Sequence, residues 1–345
     1  MLSIVIPVYN CKLYLENCLE SLLCVKGLSY EVLLIDDGST DGSELLCDIL
    51  SEQYTCVRCF HQENHGVSAT RNRGIDEAGG DWLMFLDADD SIDHDLLSKL
   101  LVEAENDTDL DAVLFGMSFD YYRHGKKYRS EQMSLSDELM GDKSMWAEKI
   151  SDLYAVNYLS PVWNKLLKKS ILKDNGLRFC NELFLLEDLE FSLRYLACCS
   201  KILCSNKIVY HYRQAEDEGN AGRRLLRIQK ISSLVDRLSA AFTELAVSTN
   251  HDPNCFQIIV IGIFLMLARQ KIAVSDRKAV GEICDDFIRW VHEREIPQDE
   301  LSSNFVQDVL HRRVWKLIAK RDYTRLRHET ANRIKYLRYV ARGEK

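Results

Sequence analysis

The apolar and polar positions of the first ninety residues alternate between two rhythms. Short apolar runs at Leu2–Val8, Glu31–Ile35, Val57–His61 and Trp82–Leu86 have the length and composition of strands. Between them, apolar residues recur at helical spacing over about Leu13–Cys24, Gly42–Glu52 and Ser68–Ala78. The order β-α-β-α-β-α-β predicts a mostly parallel, Rossmann-like α/β sheet with right-handed crossovers, which binds ligands beyond the carboxyl ends of its strands. From about Asp93 to Tyr212 helices and strands mix, with a strand at Ala112–Phe119, a helix near Lys143–Val156 and a strand pair around Lys201–Tyr212. Beyond the polar segment Gln214–Gly222 the pattern turns helical. The expected division is an α/β domain over residues 1–213 and a helical region over 214–345.

Composition supports a folded enzyme. With 46% hydrophobic residues in 345 and only 4 Pro, the chain can fill a large core. Its opening, Met-Leu-Ser-Ile-Val-Ile-Pro, lacks a basic lead and reads as a strand rather than an export signal, which points to the cytoplasm. The apolar stretch Cys255–Ala268 is shorter than the roughly twenty residues a membrane-spanning helix needs, so a buried core helix is expected. The 12 cysteines are then expected as reduced thiols packed like small hydrophobes. Cys56-Val-Arg-Cys59 with His61 has ligand-like spacing, but Cys198-Cys199 does not supply the second pair a zinc site normally uses, so a strand with inward-facing thiols is expected.

A net charge of −9 argues against general nucleic-acid binding. That total conceals a tail, residues 311–345, with twelve Lys/Arg against three Asp/Glu, a local +9 on a body of −18. The tail carries partial helical periodicity through Val314, Leu317, Ile318, Leu326, Ile334 and Leu337. Such a basic amphipathic segment suits peripheral contact with an anionic membrane surface, and equally packing on the acidic body or on another subunit in a homo-oligomer.

The turn after the first strand, Pro7-Val8-Tyr9-Asn10, is not G-x-G-x-x-G, and no G-x-x-x-x-G-K-[ST] is present, which disfavours dinucleotide oxidoreductases and P-loop phosphotransferases. Asp36 and Asp37 end the second strand, where a carboxylate suits a base N–H or ribose hydroxyl, or else a turn; Asp41 with Glu44 reads as a capping box for the next helix. Asp87, Asp89 and Asp90 follow the fourth strand. In an extended segment Asp87 and Asp89 face one pocket, and their repulsion calls for a divalent cation with oxygen ligands, Mg²⁺ or Mn²⁺, bridging to a diphosphate. Arg71 and Arg73 lie on different faces of a helix that opens after a Gly-containing turn, so one of them is expected to reach a phosphate or ribose.

The segments "SIVIPVYN", "LLIDDGSTDGS", "NHGVSATRNRGIDEAGGDWLMFLDADD", "WNKLLKKSIL" and "LLEDLEFSLRYL" together resemble the successive motifs of family-2 glycosyltransferases of the GT-A fold, across residues 1–213. The resemblance implies an inverting transferase that moves a sugar from a nucleoside diphosphate, usually UDP-linked, to a saccharide or lipid-linked saccharide, with Mn²⁺ or Mg²⁺. It implies that Pro7 and Tyr9 line the base pocket, Asp37 binds the nucleoside with Asp36 beside it, Asp87 contacts ribose or sugar, and Asp89 holds the metal with support from Asp90. Of Glu187 and Asp188, which open a helix and whose side chains diverge by about 100°, it makes Asp188 the base. Trp163, Asn164 and Lys165 are expected to border the acceptor or donor sugar. After Tyr210-His211-Tyr212-Arg213 the chain departs from the family pattern, leaving Arg213 with Arg223 or Arg224 as alternatives at the diphosphate, and His211 as a further metal ligand or a structural residue. Two rivals are a nucleotidyltransferase, whose Gly-rich, Lys-bearing loop is missing, and a non-catalytic nucleotide-sugar-binding subunit.

Overall fold

A strand buried on both faces must be apolar nearly throughout, and β1 (Leu2–Val8) buries six of its seven residues. In the computed structural model, which describes residues 1–23, 29–183, 185–215 and 231–249, β1 lies between β2 (Tyr30–Asp36) and β4 (Trp82–Phe85), parallel to both. Outside β2 runs β3 (Val57–His61), also parallel. The connecting helices are α1 (Lys12–Leu23), α2 (Ser43–Gln53) and α3 (Val67–Glu77). The order β3-β2-β1-β4 places a topological switch at β1, and the register Val8↔Asp36↔His61 brings the carboxyl ends of β1, β2 and β3 level.

The remaining strands make the other half of the sheet mixed. They are β5 (Ser91–Ile92), β6 (Ala112–Arg123), β7 (Lys126–Met133), β8 (Leu139–Asp142), β9 (Lys165–Lys168) and β10 (Lys201–Ala215). β9 joins β4 and β6 antiparallel, and β6 pairs with β10 in parallel. The order is β3-β2-β1-β4-β9-β6-β10-β5, with β7 on β6 and β8 on β10. Helices α4 (His94–Asn106), α5 (Lys143–Ala147), α6 (Ile150–Ala155), α7 (Lys169–Asp174) and α8 (Glu187–Cys198) complete this part.

Local chemistry differs from the sequence expectation at three places. The expected strand pair at Lys201–Tyr212 is one strand, β10, because its register shifts between Cys204 and Tyr210 absorb the polar Ser205-Asn206-Lys207 without reversing the chain. The helix expected near Lys143–Val156 is two, α5 and α6. The cap of α2 is Gly42, with φ 92°; Asp41 accepts from Ser43 N at 2.9 Å, and Glu44 from Gly42 N at 3.2 Å, so both acids serve the helix start one residue out of the expected register.

The chain divides into two compact units, Met1–Leu226 and Arg227–Lys345. In the second, α9 (Ile231–Ser248) buries Leu234, Leu238, Ala241, Phe242 and Leu245, a stripe at helical spacing. The expected helix at Cys255–Ala268 and the basic tail lie outside the described residues. Among the described residues every cysteine is free, and no helix is long and apolar enough to cross a membrane.

Candidate active site

The acidic segment after β4 is a turn, closed by Asp90 N–H donating to Asp87 O at 3.0 Å. The expectation that Asp87 and Asp89 are two steps along an extended strand therefore fails: β4 stops at Phe85, and the chain folds back within four residues. Asp87 is half-buried, Asp89 exposed and Asp90 buried. Asp90 accepts from Tyr210 Oη and from Arg213 N, both at 2.6 Å, while Tyr210 Oη accepts from Asp87 N at 3.1 Å. Trp163 stacks on Tyr210 with ring centroids 4.0 Å apart, bracing this network from beneath. Burial, together with Asp89 and Asp87 nearby, pushes the Asp90 carboxyl well above the usual carboxylate range. Asp90 thus ties the turn to β10, and Asp89 carries the carboxylate presented to solvent.

Helix α3 delivers the next group. Gly74 rests against β1 so closely that a Cβ there would lie 2.2 Å from Val5 Cγ1. Arg71, one turn earlier on the same face, is consequently held over the strand ends and only 4% exposed. Its Nη1 donates to Asp188 Oδ1 at 2.5 Å, its Nη2 to Asp87 Oδ1 at 3.2 Å, and Glu187 Oε1 lies 3.9 Å from Nη1. The face of Phe179, itself stacked on Phe191 of α8, lies 5.4 Å from the guanidinium. Arg73 points elsewhere: it donates to His61 O and lies over Phe60. The structure thereby separates two arginines that helical spacing could not rank.

Asp188 sits in the first turn of α8, after Leu186 in the left-handed region at φ 59°, a strained setting for a leucine. Burial pushes its carboxyl up to about 7 against the pull of Arg71, with Glu187 and Asp87 adding to the rise. The side chain still exposes 23% of its surface, so it is desolvated yet reachable. The expected divergence of Glu187 from Asp188 does not remove Glu187 from the site, because both approach the same guanidinium nitrogen.

At the ends of β1 and β2 the paired acids are turned into the protein. Asp37 accepts from His65 N at 2.9 Å, Gly66 N at 2.8 Å and Gln62 Nε2 at 2.8 Å, which fixes the loop leading into α3. Gly66 has φ 87° and ψ 165°, a backbone setting confined to glycine. Asp36 accepts from Ser39 N at 3.1 Å and meets His61 Nδ1 at 3.0 Å. Tyr9, 43% exposed, follows β1, and Pro7 is half-buried within it.

Arg213 ends beside this site through its backbone bond to Asp90, with its guanidinium 3.9 Å from the Tyr122 ring centroid and 4.9 Å from that of Tyr14. Arg223 and Arg224 lie outside the described residues. His211 Nδ1 lies 3.3 Å from Asp120 Oδ2, itself buried on β6. Trp163, Asn164 and Lys165 are buried: Lys165 Nζ donates to the carbonyls of Tyr158 and Pro161 and to Asn164 Oδ1, and its burial pushes its ammonium down to about 7, against the charge of Asp188. Tyr210 went unrecognised as a partner of Asp90; in the sequence it is one aromatic in a strand, 120 residues away.

Residues 3–167 match the family described as Glycosyl transferase family 2. Glycosyltransferase GlyG of Streptococcus pneumoniae is 29% identical, over 62% of this chain and 71% of that protein. The minor teichoic acid biosynthesis protein GgaB of Bacillus subtilis is 26% identical, over 64% of this chain but 23% of its own length. Across the first curated relatives the match spans 60% to 71% of their length. Crystal structures of Staphylococcus aureus TarS 1–349 in complex with UDP and with UDP-GlcNAc superpose with TM-score 0.61 at 17% identity, covering 97% of this chain and 91% of that one, a likeness of fold. The strand order, the acid-bearing ends of β2 and β4 and these likenesses agree: residues 3–167 form a glycosyl transferase family 2 domain, on a GT-A fold.

Proposed function

We propose that this glycosyltransferase is an inverting enzyme that uses a UDP-linked sugar and transfers it to a hydroxyl of a saccharide or lipid-linked saccharide acceptor. One observation carries this reading. A single buried guanidinium, Arg71, holds Asp87 at the donor end of β4 and Asp188 at the start of α8, so a donor-side acid and a desolvated base share one site. The acceptor oxygen attacks the anomeric carbon as Asp188 takes its proton; the bond from that carbon to the diphosphate breaks on the opposite face, and the configuration inverts. A base titrating near 7 is matched to work at neutral pH.

Pro7 and Tyr9 flank the uracil, while Asp36 and Asp37 shape the nucleoside pocket through the loops they hold. Arg213 contributes positive charge near the diphosphate. The carboxylates of the exposed Asp89 and the half-buried Asp87 are hard oxygen donors that suit a hard divalent ion, Mn²⁺ or Mg²⁺. When bound, such an ion supplies charge stabilisation for the departing diphosphate. GgaB, by its name, supports a polymer-building role, and the TarS complexes support a UDP-sugar donor.

The test is Asp188→Asn with a thermal-shift screen of UDP-, GDP- and dTDP-sugars with and without Mn²⁺. We expect stabilisation by UDP-sugars in both proteins and turnover lower by about 10²–10⁴-fold in the variant. Turnover unchanged by Asp188→Asn overturns the base assignment, and wild-type UDP binding without transfer to any acceptor favours a binding subunit.

A further inference from the structure

On the outer strand β3, Cys59 and His61 are two residues apart and so share a face. That face meets α2, which presents Cys47 and Asp48 in succession. Cys59 Sγ lies 3.4 Å from His61 Nε2, and Asp48 Oδ1 lies 3.0 Å from the same nitrogen. One ligand atom from each of the three falls within 4.8 Å of the others. Tetrahedral zinc with bonds of about 2.0–2.3 Å sets its ligands roughly 3.3–3.7 Å apart, so small side-chain movements close the set.

We propose that Asp48, Cys59 and His61 form a site for one thiophilic divalent cation of the zinc class, distinct from the carboxylate-bearing turn after β4. Three features beyond the cluster point the same way. Asp36, 2% exposed, takes His61 Nδ1 at 3.0 Å, which orients the ring with Nε2 toward Cys59 and Asp48; a carboxylate behind a histidine is the usual outer support of a metal ligand. Cys47, fully buried and next to Asp48 on α2, lies against the Cys59 thiol, so a second sulfur backs the cluster. His61 and Asp48 are exposed, so an ion has access from solvent and room for a water ligand. A mixed sulfur, nitrogen and oxygen set favours Zn²⁺ over Mg²⁺ or Mn²⁺. Through Asp36 the ion links α2 and β3 to the end of β2, bracing the loops of the donor pocket without entering the reaction.

Titration of the purified full-length chain with Co²⁺ tests this directly, since a cysteine ligand produces a sulfur-to-cobalt charge-transfer band. The expected result is one such band, saturating at a single ion per chain and displaced by Zn²⁺. It disappears in Cys59→Ser, persists in Cys56→Ser and in Asp89→Ala, and forms with about 10–100-fold weaker affinity in Asp36→Asn. Asp48→Asn, an exposed change that spares the core, is expected to weaken binding as well. Circular dichroism of each variant separates lost binding from lost folding. No charge-transfer band in the folded wild type, or one that survives Cys59→Ser, overturns the proposal; either result leaves the reading of Asp188 and Asp89 untouched.

Discussion

For Asp188, the proposed base, Arg71 bears on protonation as well as position. Its charge, with a smaller contribution from Lys165, opposes a rise that burial, Glu187 and Asp87 all promote, so the acid limb of the rate profile depends most on this side chain. Wild-type activity is expected to rise through about pH 7 as Asp188 ionises, Arg71→Met is expected to move that limb to higher pH, and each unit of movement lowers the ionised fraction at neutral pH by up to about tenfold. Arg71→Lys retains a charge but not the fork that reaches Asp188 and Asp87 from separate nitrogens, so an intermediate shift with reduced kcat is expected. Profiles of kcat/KM against pH for the three proteins check this. A limb at the same pH in all three shows that Arg71 does not tune the base.

Among the elements, the seating of α3 on β1 decides where that guanidinium lies. A glycine inside a helix ordinarily costs about 1 kcal/mol relative to alanine, so Gly74→Ala would stabilise an isolated helix. Here the added Cβ meets the fully buried Val5, and overpacking costs about 1–3 kcal/mol. Gly74→Ala is therefore expected to lower stability in denaturant titration and to reduce turnover by displacing Arg71, while Val5→Ala in the same chain recovers part of the turnover. Higher stability of the single variant contradicts the close seating. The same logic explains why Gly66 begins α3, since its N–H reaches Asp37 from a backbone conformation that other residues rarely adopt.

Across the whole molecule, charge is divided between a tail of +9 and a body of −18. An enzyme extending a lipid-linked saccharide gains from a basic segment that holds it at an anionic surface. Flotation with phosphatidylserine-containing vesicles is expected to carry the full chain at low salt, to weaken strongly at about 1 M salt, where the screening length falls to about 3 Å, and to fail for a chain ending at Asp308. Equal flotation of the shortened chain removes the membrane role and leaves packing on the body or on a second copy.

The sequence by itself determined the succession of strands and helices up to β4 and the presence of acids at the ends of β2 and β4. Periodicity and turn chemistry act over a few residues, so Leu2–Val8 and Val57–His61 could be read to their last residue. Only the tertiary structure decided that the Asp87–Asp90 segment is a turn tied to Tyr210, that Arg71 and not Arg73 enters the site, and that Cys59 and His61 meet Asp48. Those outcomes depend on packing between elements far apart in the chain, 117 residues in the case of Arg71 and Asp188. Burial and pairing at such separations arise from the fold as a whole, and no local pattern of apolar and polar residues encodes them.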